Sequence, residues 1–381
     1  MAQEANSTVT KRVLYISFEL SDKKWHLVFG DGNKTVHRVI EFANVQGIQL
    51  AIKREIALAK EKFKLSEDCE IHSCYEVGRY GFWLHRFLIK AGIANRVVDS
   101  SSIEVNRRQR HRKTDKLDAQ KLLTMLIRLI HGEKKVFSVI NVPSEFSEDA
   151  RIASRGLSTL KRERTRHNHR IKCALLQQGI KLEKVHLKDW EEQIKALRTW
   201  ENKGLGKELQ EELLRLGRIV KGLSEEIRGI EKTRRESIET QDTKANQQIK
   251  QLTGLCGIGI ESATQLVREC FSWRPYMNRK KAGALVGLTG TPYDSGSSQR
   301  EQGISKAGSR RLRCLLIELS WQWLRYQPTS QLTQWYASRF AGSGNRGRKI
   351  GIVALARKLF ILLWKYIATG ALPAGVKLKG C

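Results

Sequence analysis

Val13-Leu14-Tyr15-Ile16-Ser17-Phe18-Glu19 reads as a buried strand that stops on an acid: an almost unbroken apolar run closed by a charge. Working outward, Trp25 to Phe29 and Thr35 to Phe42 flank the turn Gly30-Asp31-Gly32-Asn33, so the first three strands form an antiparallel meander. Gln46 to Phe63 carries Ile48, Leu50, Ala51, Ile56 and Leu58 and reads as an amphipathic helix. Cys69 to Tyr75 is the next strand and ends at Glu76; a helix from Phe82 to Lys90 and a strand at Arg96-Val97-Val98 follow. The resulting order is β-β-β-α-β-α-β.

That order is characteristic of the RNase H-like fold, in which acids come from the first strand, the end of the fourth strand and a later helix. The later helix begins in Arg112-Lys113-Thr114-Asp115-Lys116-Leu117-Asp118-Ala119, where two carboxylates three residues apart share one helix face. Aspartates in a first turn also suit the helix dipole and cap free N–H groups. Glu19, Glu76, Asp115 and Asp118 nevertheless occupy all four topological slots. Two Mg2+ (or Mn2+) ions bridging a scissile phosphate need several oxygen ligands on rigid elements, and four such acids predict that site. Arg107, Arg108, Arg110, Arg112 and Lys113 just upstream are candidate phosphate contacts.

The charge supports a polyanionic partner. The chain has 381 residues and a formal net charge of +30, a surplus that favours nucleic acid. From Gln302 to Cys381, Glu318 is the only acid beside fourteen lysines and arginines. No stretch reads as a signal peptide or reaches the length of a membrane span, so a cytoplasmic protein is expected. The seven cysteines include no C-x-x-C pair and read as reduced thiols.

Beyond the sheet region, Ser147 to Gln178 is helical and basic, with Arg162, Arg166 and Arg170 placed to meet a sugar-phosphate backbone. Leu187, Trp190, Ile194 and Leu197, then Leu209, Leu213, Leu216, Val220, Leu223, Ile227 and Ile230, recur at three-four spacing. They predict a coiled-coil hairpin whose seam needs a partner, in the hairpin or from another subunit. Leu255-Cys256-Gly257-Ile258-Gly259-Ile260-Glu261-Ser262-Ala263 fits a helix-hairpin-helix, with Gly257 and Gly259 allowing close approach to a phosphate. Tyr293-Asp294-Ser295-Gly296-Ser297-Ser298 reads as an open Gly/Ser loop. Lys306, Arg310, Arg311 and Arg313 follow it, and Arg346, Arg348 and Lys349 lie in a later glycine-basic loop; all seven are expected nucleic-acid contacts.

Glu19, Cys74-Tyr75-Glu76, Lys113 to Ala119, Gly287-Leu288-Thr289, Tyr293 to Ser298 and Ser305-Lys306-Ala307-Gly308 together resemble the DEDD transposases of bacterial insertion sequences. Those enzymes are related to Piv-like invertases and include bridge-RNA-guided serine recombinases. The resemblance implies an α/β plus α architecture: a leader at 1–11, a RuvC-like (RNase H-like) domain at 12–180, and a coiled-coil insertion at 181–245. A mainly helical C-terminal transposase domain at 246–370 and a tail at 371–381 complete it. It also implies a Mg2+-binding tetrad of Glu19, Glu76, Asp115 and Asp118, and Ser295 as a nucleophile forming a 5'-phosphoserine linkage. Implied partners are donor and target double-stranded DNA, a structured bridge RNA, and further copies in a homodimer or homotetramer.

One departure stands out, because the first acid of that family is usually aspartate and here it is Glu19; Asp22 is a fallback ligand. Two alternatives remain at this stage: a RuvC-like nuclease that hydrolyses DNA, or a non-catalytic nucleic-acid-binding relative.

Overall fold

The computed structural model describes residues 12–41, 44–104, 114–275, 278–295 and 298–380, with 294, 295 and 298–301 described by backbone only. The chain divides into two compact units, Met1–Val142 and Pro143–Cys381.

The first unit is built on β1 (Val13–Glu19), β2 (Lys24–Gly30), β3 (Thr35–Glu41), β4 (Glu70–Glu76) and β5 (Ala94–Val98), in the spatial order β3-β2-β1-β4-β5. The meander is antiparallel, whereas β4 lies parallel to β1 and β5 parallel to β4. Strand alternation splits β1 between two cores. Leu14, Ile16 and Phe18 face Ile48 and Ile52 of α1 (Val45–Phe63) and Leu84 and Leu88 of α2 (Trp83–Lys90). Tyr15 and its neighbours Val28, Cys74 and Val98 face Ala119, Leu122 and Leu126 of α3 (Asp115–Ile130). Full burial of each such side chain contributes about 1.5–3 kcal/mol, so both faces hold β1 at the centre of the sheet.

The second unit opens with α4 (Glu145–Leu176), whose partner is α6 (Lys207–Thr240) after the short α5 (Trp190–Ala196). Ile171 and Leu175 of α4 pack with Leu213, Leu216 and Val220 of α6, and Lys161 reaches Glu231 at 2.6 Å. The part of the three-four seam from Leu213 to Val220 is thus covered within the chain, and by a helix upstream of the expected 181–245 segment. This places α4 in the second unit rather than with the 12–180 stretch. Gly217 is required here, because a Cβ would lie 2.3 Å from the ring of Trp190, whose indole N–H donates to the Leu213 carbonyl at 3.0 Å.

The remainder is mainly helical: α7 (Lys244–Thr253), α8 (Ile260–Leu266) leading into a π turn at Val267–Phe271, and α9 (Arg279–Leu285). The hairpin β6 (Gly290–Ser295) and β7 (Ser298–Ile304) follows, then α10 (Arg310–Tyr326), α11 (Gln331–Phe340) and α12 (Asn345–Thr369). The middle of α12 forms the centre of this core, with Leu355, Leu359, Phe360 and Leu363 against Leu316, Leu319 and Trp323 of α10. Burial pushes the Cys74 and Cys270 thiols up to about 12, which suits inert core residues. Among the described residues no helix is long and apolar enough to cross a membrane.

Candidate functional site

Strand register brings the expected acids of the first unit to one corner. The parallel pairing of β1 and β4 runs to Phe18 opposite Tyr75, so Glu19 and Glu76 stand side by side one step further on, on strands about 4.8 Å apart. Ser17 and Cys74, two residues earlier, both face α3: the Ser17 hydroxyl donates to the Ala119 carbonyl at 2.6 Å and the Cys74 thiol to that of Leu122 at 3.7 Å. Period-two alternation therefore turns Glu19 and Glu76 toward the start of α3, where Asp115 and Asp118 lie.

Thr114 is the N-cap of that helix and accepts from the Leu117 N–H, so neither aspartate serves as the cap. Asp115 lies 3.8 Å from His26, the cross-strand neighbour of Glu19. His26 in turn shares a 3.0 Å hydrogen bond with His37, whose pKa is lowered by burial and by His26 itself. This histidine pair escaped the sequence reading; its signal is only two histidines on paired strands. Asp22, the fallback ligand, lies in an exposed ion pair with Arg79.

The donors are all carboxylate oxygens on strand ends and a first helical turn, a set suited to a hard divalent cation. Among the described residues no three His, Cys, Asp or Glu side chains are close enough together to hold a metal ion. The corner supplies the ligand types from rigid elements, and side-chain rotation would have to complete the cluster.

In the second unit the expected Gly/Ser loop is a β-hairpin: β6 and β7 pair antiparallel from Gly290↔Ile304 to Ser295↔Ser298, so Ser295 ends β6 at the tip. Backbone pairing overrides the loop-like composition because the root is tightly fixed. Lys306 N–H donates to the Gly287 carbonyl at 3.1 Å and Ser309 N–H to that of Leu285 at 2.9 Å. Gly287 (φ +64°) would place a Cβ 1.9 Å from the Ala307 carbonyl, and Gly308 (φ +86°) one 2.3 Å from that of Leu285. Gly287→Ala or Gly308→Ala is therefore expected to cost more than about 2 kcal/mol, from the left-handed backbone and the clash together. Urea denaturation midpoints check this, and an unchanged midpoint would refute the close approach.

The expected nucleic-acid contacts separate into several groups. Arg107, Arg108, Arg110, Arg112 and Lys113 lie outside the described residues. Arg162, Arg166 and Arg170 are exposed along one side of α4, and Lys306 and Arg310 are exposed beside the hairpin root. Arg311 and Arg313 turn inward. Arg313 donates to the Val286 carbonyl at 3.0 Å, while Arg311 donates to Ser158 and to the Ser154 carbonyl and lies 3.6 Å from Glu269. Gly257 (φ +86°) and Gly259 do form a turn between α7 and α8, as the motif predicts. Part of that turn's backbone is already used: Cys256 N–H donates to the Lys377 carbonyl at 3.1 Å, and the Lys379 amine to that of Ile258 at 2.8 Å.

Glu269 is a second residue that the sequence reading missed. Only 3% of its side chain is exposed, and Arg155 donates two 2.8 Å hydrogen bonds to it; Arg151 approaches to 3.7 Å. The carboxylate raises the pKa of Arg155, whereas burial lowers those of Arg151 and Arg311. One buried acid thus joins α4, the π turn and the start of α10.

A family profile described as "Transposase IS116/IS110/IS902 family" matches residues 249–334, which run from α7 into α11. The putative transposase y4rJ of Sinorhizobium fredii (strain NBRC 101917 / NGR234) is 35% identical over 379 residues, covering 96% of this chain and 94% of that protein. The chain belongs to the IS116/IS110/IS902 family of transposases. The transposase for insertion sequence element IS1328 of Yersinia enterocolitica is 27% identical over 151 residues, 39% of this chain and 42% of that one. As a transposase the protein binds DNA, cuts it and rejoins it, and the cationic surplus noted above has its partner.

Proposed function

We propose that this transposase joins donor and target DNA by serine attack on a phosphodiester, assisted by the carboxylate corner. The observation that carries the proposal is the register that turns Glu19 and Glu76 to the side of the sheet where α3 starts with Asp115 and Asp118. The strand order β3-β2-β1-β4-β5 and this placement of acids support the RNase H-like (RuvC-like) reading of the first unit. Glu19, Glu76, Asp115 and Asp118 would hold Mg2+, which when bound supplies a Lewis acid for phosphoryl oxygens.

In the proposed reaction the Ser295 oxygen bonds to phosphorus as a strand's 3'-oxygen leaves, giving a 5'-phosphoserine. The serine proton passes to the surrounding base or solvent, and the released 3'-hydroxyl receives one. Attack by the other strand's 3'-hydroxyl reverses these bonds and regenerates serine. The place of Ser295 at the end of β6, on a hairpin with a fixed root, supports this assignment. Sequence choice is assigned to a structured RNA pairing with both DNAs, the protein gripping backbone through its basic residues. A homodimer or homotetramer is the proposed assembly.

The test is to quench the reaction on labelled donor DNA with denaturant and map any covalent adduct by peptide mass spectrometry. The expected result is phosphodeoxyribose-linked Ser295. Cleaved DNA without an adduct would replace this reading with hydrolysis, and an adduct on Tyr293 would move the nucleophile.

A further inference from the structure

Beneath the root of the β6–β7 hairpin lies a groove of about 930 Å3 lined by Arg279, Arg346, Lys349, Arg357 and Lys358, with no acidic residue. Its floor is apolar and comes from Leu288, Ile304, Val353 and Ile361. The face of α12 that it uses is opposite the one buried in the core. Arg346, Lys349, Ile350, Val353 and Arg357 repeat at helical spacing along it, and Ile350 is 56% exposed. Two cations lie over the Trp335 ring in the same wall, Lys358 with Nζ 4.5 Å and Arg339 with its guanidinium carbon 5.7 Å from the centroid. At Gly303 (φ +91°) the opposite wall is bare backbone.

Neither charge nor apolar area alone accounts for this combination. A duplex presents phosphates and base edges but keeps its apolar base faces stacked inside, and 930 Å3 is the size of a pocket that encloses a small ligand or a few bases rather than a helix. An unpaired strand brings anionic phosphates and apolar base faces together, the pairing of surfaces that single-strand sites use. The Arg348 side chain, by contrast, is turned to the Ala341 carbonyl at 3.5 Å and is not part of the lining.

We infer that this groove holds an unpaired nucleic-acid strand, with phosphates on the cationic rim and bases on the floor formed by α12 and the hairpin root. The inference deepens the proposed function by giving one surface a preference for single strands. It rests on the chain acting on nucleic acid, and not on which residue attacks.

The full-length protein is titrated, in the presence of a metal chelator so that no cleavage occurs, with fluorescein-labelled oligo(dT) and with a duplex of equal length. Both titrations span a range of salt concentrations. The exposed pair Arg346→Ala/Lys349→Ala is expected to weaken oligo(dT) binding about tenfold and to flatten its salt dependence by about 1.4, two contacts at about 0.7 each. Ile350→Ala should weaken oligo(dT) binding several-fold with the slope unchanged, and duplex affinity should hold in both variants. Equal losses on both probes would overturn the inference in favour of a general backbone surface. So would unchanged oligo(dT) binding together with a change in mass by light scattering, which would make the groove a contact between copies. Because nothing is cleaved, failure here leaves the adduct test untouched.

Discussion

Alanine at Ser295 is expected to leave the protein folded and bound to DNA while abolishing both the covalent adduct and strand exchange. Ser295 ends β6 beside Ser298, and the pairing there is backbone to backbone, so removing one hydroxyl leaves the ladder intact. The chemistry loses its acceptor for the phosphoryl group, and losses of nucleophiles in other enzymes suggest a drop on the order of 10^3-fold or more. Asp118→Ala should give a drop of comparable order with DNA affinity retained. The double variant is the sharper measurement. Groups that act as one unit are non-additive, so Ser295→Ala/Asp118→Ala should be no slower than the worse single variant. Multiplying losses would mean that the serine and the carboxylate corner serve separate reactions.

The second large effect concerns stability. Glu269→Ala is expected to cost about 1–3 kcal/mol, because it removes a buried acceptor on which three arginines converge, the half-exposed Arg155 being able to turn partly to water. Arg155 loses two charge-assisted hydrogen bonds, and the ion pairs of Arg151 at 3.7 Å and Arg311 at 3.6 Å go with them. The Arg151 and Arg311 Nε atoms already lack hydrogen-bond partners, so little else can compensate. Urea denaturation should show the loss in the transition that reports the second unit. Glu269→Gln keeps an acceptor oxygen and should fall between wild type and alanine. If alanine were neutral, the arginines must be able to turn to solvent, and the cluster would not be the tie that its geometry describes.

The sheet was legible because its signals are local. An apolar run ending at Glu19, a turn at Gly30 to Asn33 and an acid closing the fourth strand are each readable over a few residues, and the observed element order follows them. The places of Glu19 and Glu76 at strand ends and of Asp115 and Asp118 in a first helical turn were legible for the same reason, although the cap itself is Thr114, a weaker-looking residue. What escaped was non-local. The seam in α6 announces that it needs a partner but cannot say that the partner is α4, across the intervening loop and α5. Arg310, Arg311 and Arg313 are equivalent in composition, and only helix phase decides that Arg310 meets solvent while Arg311 meets Glu269. The Gly/Ser stretch looked open because glycine and serine are turn residues, whereas the root contacts at Gly287 and Gly308 enforce pairing.

The α4–α6 pair carries a consequence for length. At about 1.5 Å of rise per residue, the 34 residues of α6 make an arm of about 50 Å. The pairing is antiparallel, with Lys161 opposite Glu231 and Leu175 beside Leu213, so every residue gained on one helix must be matched on the other. Its apolar face recurs in steps of three and four, and only whole heptads restore it. A heptad inserted in α6 and matched in α4 is therefore expected to lengthen the arm by about 10 Å, whereas an unmatched insertion would turn the seam away from its partner.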